Sequence, residues 1–494
     1  MIRNHLQKIN RLGILRRLTN ISPAFFAAFM VLLITSIALF TPPYIGMADN
    51  GDYFRILYGN GVYFNVPDYT SQYFGYFIPK YGIFQYFNEN NTVVVSSQSI
   101  FIQAAVWLNK LFIDALVFDV RVQAAIYTCL YTIAVYLLVE SITWKTPRKY
   151  GYPIAILAIF LFGDTAYTAY FNSFYGESVA FIMMIFLLAS GLLLYRNRYN
   201  DYVMLTVFTL SGILLTTSKQ QNAPVGVIVA FIGIMLIFIR KGKTFRILTA
   251  SSLACLLLAG VGTYAFIPKE FVNINKYHAM TRGILMESKD PEAALKPFGI
   301  DPQYAILDKS VYFESNTTVD LDSEILEKSF YSHYGFGSIV KYYITNPGQA
   351  GQMLDLAAKS AFIIRPPAMG SYEKDVGKPW GAQTNFFSEY SELKKHLTPR
   401  TFGFIVIWIS LVMGLYLPSF ISALRSRNMR KAARFPLIVM LILIGLSGIV
   451  VSFIGAGDAD LAKHVFLFTA AFDLVTFLLV ADAIRRRLIQ GDQD

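Results

Sequence analysis

Cysteine is almost absent: Cys129 and Cys255 both sit inside apolar runs, so neither a disulfide framework nor a cysteine metal cluster is available. Charge is scarce too. Only 15% of residues are Asp, Glu, Lys or Arg against 55% hydrophobic, with a mean hydropathy of +0.46, which excludes an ordinary soluble enzyme of 494 residues. The first 22 positions lack acidic residues altogether while carrying Arg3, Lys8, Arg11, Arg16 and Arg17. No small-residue cleavage site follows the first apolar run, Pro23 to Thr41, so it reads as a retained helix and not as a secretory signal.

What the sequence has in abundance is apolar runs of about 20 residues, each long enough to cross a bilayer core of roughly 30 Å. The basic N-terminus places residues 1–22 in the cytoplasm, so the first helix exits outward and the polar, aromatic segment from Pro42 to Ser97 is external. The stretch Ser99 to Asp119 is apolar enough to span, yet Ser99, Gln103, Lys110 and Asp114 form a polar stripe on one helical face. It is expected to be an interfacial helix over 99–118 within a first external loop, 42–119. Spans then fall near 120–142, 152–171, 179–195, 202–217, 223–239, 247–267, 400–421, 436–455 and 464–484, which with the first makes ten. This parity puts Lys145/Arg148/Lys149, Arg196/Arg198, Arg240/Lys241/Lys243/Arg246, the run Arg425 to Arg434 and the tail Arg485 to Arg487 all on the cytoplasmic side. The net charge of +11 is thereby assigned to membrane topology and not to nucleic acid.

The expected fold is an all-α polytopic membrane protein with both termini cytoplasmic. A basic N-terminus (1–22) leads into helices 1 to 7 (23–267), an external region (268–399) and helices 8 to 10 with the tail (400–494). The external region lacks repeats, glycine/serine linkers and sustained strand alternation. It is expected to be short helices lying over the outer surface and packed on the first loop.

The chemically varied residues gather on the external side. MADNGDYFR places Asp49, Asp52 and Arg55 just past the first helix, where one helical turn aligns two carboxylates and a guanidinium. NSFYGES offers Asn172, Tyr175 and Glu177; SKQQN offers Lys219, Gln220 and Gln221; later come His278, Arg282, Lys359, Arg365, Asp458, Asp460, Lys463 and His464. Each has a structural alternative: Asn50-Gly51 is a turn dipeptide, Asn172 or Ser173 can cap a helix, SKQQN can be a polar hairpin, and Lys463 can snorkel. The sequons at Asn90 and Asn316 are short enough to arise by chance.

An external site has no access to nucleotide sugars, so a transferase there needs a donor carried in the membrane, such as an isoprenoid-linked phosphosugar. That donor requires a lateral groove, cations for its phosphate and a carboxylate base for the acceptor hydroxyl. Lys219, Arg282, Lys359, Arg365, Lys463 and His464 are the candidate phosphate cations, and Asp49 or Asp52 the candidate base. Tyr53, Arg55, Asn172, Tyr175, Gln220, Gln221 and His278 are the candidate sugar or acceptor contacts.

MADNGDYFR, QSIFIQAAVWLNKLF, NSFYGES, HAMTRGILMESKDPEAALKPFGI and GAGDADLAKHVFLFTAAFDL together resemble the GT-C superfamily of membrane glycosyltransferases, and within it the WsfD-like hexose transferases of bacterial surface-glycan assembly. The resemblance runs over nearly the whole chain. It implies inverting transfer of a hexose or deoxyhexose from a polyprenyl-phosphate donor to a surface glycan or its lipid-linked precursor at the plasma membrane. The superfamily's first-loop acid falls on Asp49 or Asp52, with Asp52 favoured because it directly precedes Tyr53-Phe54-Arg55, and with Asp49 and Glu177 as supporting acids. Some members use a divalent ion; the external acids here do not indicate one, and no other cofactor is implied. The rival from another class is a transporter or flippase of lipid-linked sugars. That reading calls for midplane charges and internal repeats, whereas here Asp473 is the one clear mid-helix charge and the two halves are unlike.

Overall fold

The computed structural model describes residues 21–86, 88, 95–314, 319–459 and 461–487. Residues 1–20 of the basic N-terminus, both sequons and Asp460 lie outside the described residues. Helix α1 (Pro23–Phe40) begins where the Ser22 hydroxyl accepts the Phe25 N–H at 3.1 Å, with a proline in the first turn where no donor is needed. A loop follows that contains β1 (Ile45–Met47), the single helical turn Phe54–Leu57, β2 (Val62–Tyr63), β3 (Lys80–Ile83), α2 (Gln98–Phe112) and β4 (Val117–Asp119). Strands β2, β3 and β4 form a small antiparallel sheet.

A helix does form in the stretch expected over 99–118, but α2 stops at Phe112. Asp114 accepts the Leu116 and Val117 N–H groups at 2.7 and 3.0 Å, so it fixes the following turn and does not extend the polar stripe. Ser99 and Gln103 do share a face, and both bond Asn60. Ile100, Trp107 and Leu111 are exposed, so the helix is amphipathic.

The bundle continues with α3 (Val120–Thr143), α4 (Arg148–Phe162), α5 (Thr165–Phe171), α6 (Glu177–Arg196), α7 (Asp201–Thr217), α8 (Gln220–Phe238) and α9 (Lys243–Ala265). Among the described residues, eight helices are long and apolar enough to span: α1, α3, α6, α8, α9, α14 (Phe402–Arg425), Met429–Ala456 and α16 (Phe466–Ile484). The expected span at 152–171 is instead a pair, α4 and α5, bent by 52°, and that at 202–217 is the shorter α7. The protein is an all-α polytopic membrane protein. Helix α6 is apolar on every side and buried, as its lack of a polar stripe requires, with α3 and α7 packed closely against it. Close approach of α8 to α9 depends on small residues: a Cβ at Gly226 would sit 2.4 Å from Leu256 O, and one at Gly260 2.7 Å from Ala223 O.

Residues 268–399 contain α10 (Lys269–Ala279), which runs into a π-helical turn (Met280–Leu285), then α11 (Phe336–Thr345), α12 (Pro347–Ala361), β5 (Met369–Tyr372) and α13 (Glu389–Leu397). Strand β5 pairs antiparallel with β1, setting Ile45 opposite Tyr372, so this region does pack on the first loop. It is not confined to an overlay, however. Segment 384–397 sinks into the wedge opened by the α4/α5 bend, where Asp164 accepts the Ser391 N–H at 2.8 Å and Phe387 O accepts the Thr165 N–H at 3.0 Å. Deeper still, Lys394 pairs with Asp473 of α16 at 2.5 Å, and Tyr167 donates to the other oxygen of that carboxylate.

Helix α15 (Arg434–Ala456) and α16 close the bundle. The basic loops converge at one end, where Arg198 pairs with Glu140, Arg430 with Asp201 and Arg434 with Asp482. The first loop and residues 268–399 occupy the other.

Candidate functional site

Four chain segments meet at the loop-rich end. The first is the turn after β1. Its Asp49 carboxylate is 5% exposed: one oxygen accepts the N–H groups of Gly51, Asp52 and Tyr53 at 2.9, 3.0 and 3.1 Å, and the other accepts the Tyr69 hydroxyl at 2.5 Å. Asp49 therefore ties the turn from inside, and the turn aims Asp52 outward. The second is the start of α6, where Glu177 lies in the first turn, favoured by the helix dipole. The third is the α7–α8 turn carrying Lys219, Gln220 and Gln221. It seats against Gly176, where a Cβ would lie 2.9 Å from Lys219 Cγ and 3.0 Å from Ser218 O. The fourth is Leu461–His464, which brings Lys463 and His464.

These segments enclose a cavity of about 380 Å³. At its polar end Asp52 pairs with Arg55 at 2.9 Å and with Lys463, whose Nζ also lies 3.4 Å from Asn50 Oδ1 and 4.7 Å from the centre of the Tyr175 ring. Beside them Lys219 pairs with Glu177 at 2.7 Å. Burial pushes the Asp52 carboxyl up, but Lys463 and Arg55, helped by Lys219, hold it well below the usual carboxylate range. Asp49 goes the other way: burial raises it beyond what the Tyr69 and backbone hydrogen bonds restore. Two buried polar atoms of the lining, Glu177 Oε2 and Arg55 Nε, have no hydrogen-bond partner among the described residues, as expected of a wall that meets a polar ligand. His464 and Gln221 share a 2.6 Å hydrogen bond.

The opposite wall is apolar. It is built from Ala223 and Pro224 of α8, Tyr264 and Ile267 at the end of α9, Phe271 of α10, Phe336 of α11 and Val450 to Ala456 of α15. Tyr264 and Phe266 are exposed beside it, so the apolar side reaches the outer surface of the bundle. A cation-rich pocket joined to an apolar wall suits an amphiphile with an anionic head.

The profile of the YfdI N-terminal transmembrane domain family matches residues 7–494. The chain belongs to that family. It is 25% identical over 418 residues to the uncharacterized protein YfdI of Escherichia coli (strain K12), covering 81% of this chain and 83% of that protein. No solved structure matches.

In this YfdI-family chain the cavity collects nine of the residues singled out from sequence: Asp52, Arg55, Tyr175, Glu177, Lys219, Gln220, Gln221, Lys463 and His464. Seven fall elsewhere, each for a physical reason. Asp49 is spent on the turn. Tyr53 is buried, donating to Met47 O at 2.7 Å. Asn172 ties α1 to β1 through Leu39 O and Ile45 O. His278 accepts the Tyr312 N–H at 3.0 Å, and burial, followed by the nearby Arg282 and Arg55, pushes its pKa down to about 4. Arg282 forms a two-pronged pair with Asp458 at 2.6 and 2.8 Å. Lys359 is exposed on α12, and Arg365 is buried against Thr384 O. The sequence reading missed Asn50, Ser96, Gln98 and Asn275. The polar run Ser96 to Ser99 was a usable signal for two of them, absorbed into the interfacial-helix pattern. Among the described residues, no three His, Cys, Asp or Glu side chains group so as to hold a metal ion.

Proposed function

We propose that this protein is a GT-C-type glycosyltransferase of the bacterial plasma membrane. It moves a hexose or deoxyhexose from a polyprenyl-phosphate-linked donor to a surface glycan or lipid-linked glycan acceptor, with inversion. The observation that carries the reading is the two-sided cavity. Three cations and two carboxylates converge at its polar end, and an apolar wall leads from there to the bundle surface. The basic loops at the opposite end support a cytoplasmic orientation for that end, which leaves the cavity on the outer face.

In this reading Lys463, Arg55 and Lys219 hold the donor phosphate, and the isoprenoid lies along Tyr264, Phe271 and Phe336. Asp52 takes the acceptor hydroxyl proton as that oxygen attacks the anomeric carbon from the face opposite the phosphate. Gln220, Gln221 and the free Glu177 oxygen are placed to bond sugar hydroxyls. The burial of Asp473 against Lys394 and Tyr167 leaves that charge to hold elements together, which favours transfer over a flippase.

The test is purified protein in proteoliposomes supplied with a labelled polyprenyl-phosphate hexose and glycan acceptors. Sugar covalently joined to the acceptor with inverted anomeric configuration is the expected result. Movement of the intact lipid-linked sugar between leaflets, with no new glycosidic bond, would establish the flippase instead.

A further inference from the structure

We propose that Lys463 exchanges partners during the reaction: the phosphodiester of the donor takes the ammonium that Asp52 holds in this structure, and the carboxylate so released becomes the base. The inference rests on the glycosyltransferase reading and adds an order of events to it.

The geometry sets up a conflict that the exchange resolves. Lys463 is 2% exposed, packed on the Tyr175 ring and bonded to Asn50 and Asp52, so the group it can newly engage is one that enters the cavity. Asp52 is paired at once with Lys463 and with Arg55. A carboxylate held by two cations keeps its charge and accepts a proton poorly. Yet those two cations also face an incoming phosphate, to which Lys219, shared with Glu177, contributes only part of its charge. One ammonium cannot satisfy both anions fully, and a phosphate, with more acceptor oxygens, competes well for it. Once the phosphate has Lys463, Asp52 faces an anion where it had faced a cation, and its proton affinity rises. The groups that face Asp52 are Asp49 and Arg55 on its own loop, Tyr175 and Glu177 at the start of α6, Lys219 in the α7–α8 turn, and Lys463 and His464 before α16. Among the described residues, direct ion pairs to it come from Arg55 and Lys463.

The step closes in atoms and charge. The acceptor hydroxyl gives its proton to Asp52 as its oxygen bonds to the anomeric carbon. The bond from that carbon to the phosphate oxygen breaks with its electron pair on the phosphate, whose second negative charge Lys463 and Arg55 hold. When the lipid phosphate leaves, Lys463 returns to Asp52 and the carboxyl proton goes to water.

Calorimetry of the full-length protein at about pH 6, in buffers of different ionisation enthalpy, tests this with farnesyl methyl phosphate, a diester that does not itself titrate near that pH. Exchange predicts net proton uptake on diester binding, read from the dependence of the heat on buffer ionisation enthalpy. Uptake should vanish in Asp52→Asn and shrink in Lys463→Gln, where the clamp is already gone; diester binding by each variant reports that it is folded. Tight binding with uptake equal in wild type and Asp52→Asn would overturn the exchange while leaving the transferase reading standing. Failure of the wild type to bind either this diester or a farnesyl phosphohexose would remove the donor site, and the exchange with it.

Discussion

At the scale of single residues, the two acids of the opening turn divide the labour. Asp49 and Asp52 looked interchangeable in the sequence because composition and spacing give both a place beside Arg55. What separates them is backbone: the three N–H groups that converge on Asp49 belong to its own turn, and no pattern of side chains announces them. Asp49→Ala should therefore destabilise the protein by about 2–4 kcal/mol, since it orphans several buried donors; thermal unfolding in detergent will show this as a lowered Tm. His278 offers a pH test at the same scale. Its ring stays neutral in the folded chain down to about pH 4, whereas an unfolded histidine takes its proton near its ordinary value of 6.5. Between those limits the unfolded state holds more protons, so stability rises with pH, is fully present above about 6.5 and is lost on acidification through about 4. At about 1.4 kcal/mol per pH unit the climb is worth about 3 kcal/mol at most. His278→Gln should flatten it, and a Tm profile equally steep in the variant would assign the dependence to other groups.

At the scale of elements, the long apolar runs located the long helices of the bundle, because burial in lipid or protein is written directly into residue type. It was less informative where a helix breaks. The α4/α5 bend at Gly163-Asp164 and the insertion of α13 depend on contacts between residues more than 200 positions apart, such as Asp164 with Ser391. Helix packing also governs the cavity. Gly226 and Gly260 let α8 and α9 touch, and those helices carry Ala223, Pro224 and Tyr264 into the apolar wall. Gly260→Val should push them apart at a cost of roughly 1–3 kcal/mol. The donor's KM should then rise more than kcat falls. An unchanged KM for the lipid-linked donor would mean that the isoprenoid does not lie along this wall.

At the scale of the whole molecule, the basic loops gather at one end and the chemically varied residues at the other, an asymmetry legible in the sequence from charge alone. Impermeant thiol reagents should label single cysteines placed at Tyr73 or Trp380 in intact cells and leave those placed at Lys145 or Lys431 unlabelled. The reverse pattern would turn the cavity toward the cytoplasm and remove the need for a membrane-borne donor. The sequence did not reveal which distant cations reach the carboxylate. Arg282 and Lys463 both read from sequence as external cations, yet Asp458 captures the first and Asp52 the second. The central claim is that Asp52 is the base of a sugar transfer at this cavity, and its most direct test is the rate at which purified wild type and Asp52→Asn move labelled hexose from a polyprenyl-phosphate donor to acceptor. The account predicts a loss of about 10²- to 10⁴-fold in an Asp52→Asn protein that still folds, with a Tm lowered by the lost pairs to Lys463 and Arg55; transfer at the wild-type rate by a folded Asp52→Asn protein would contradict it.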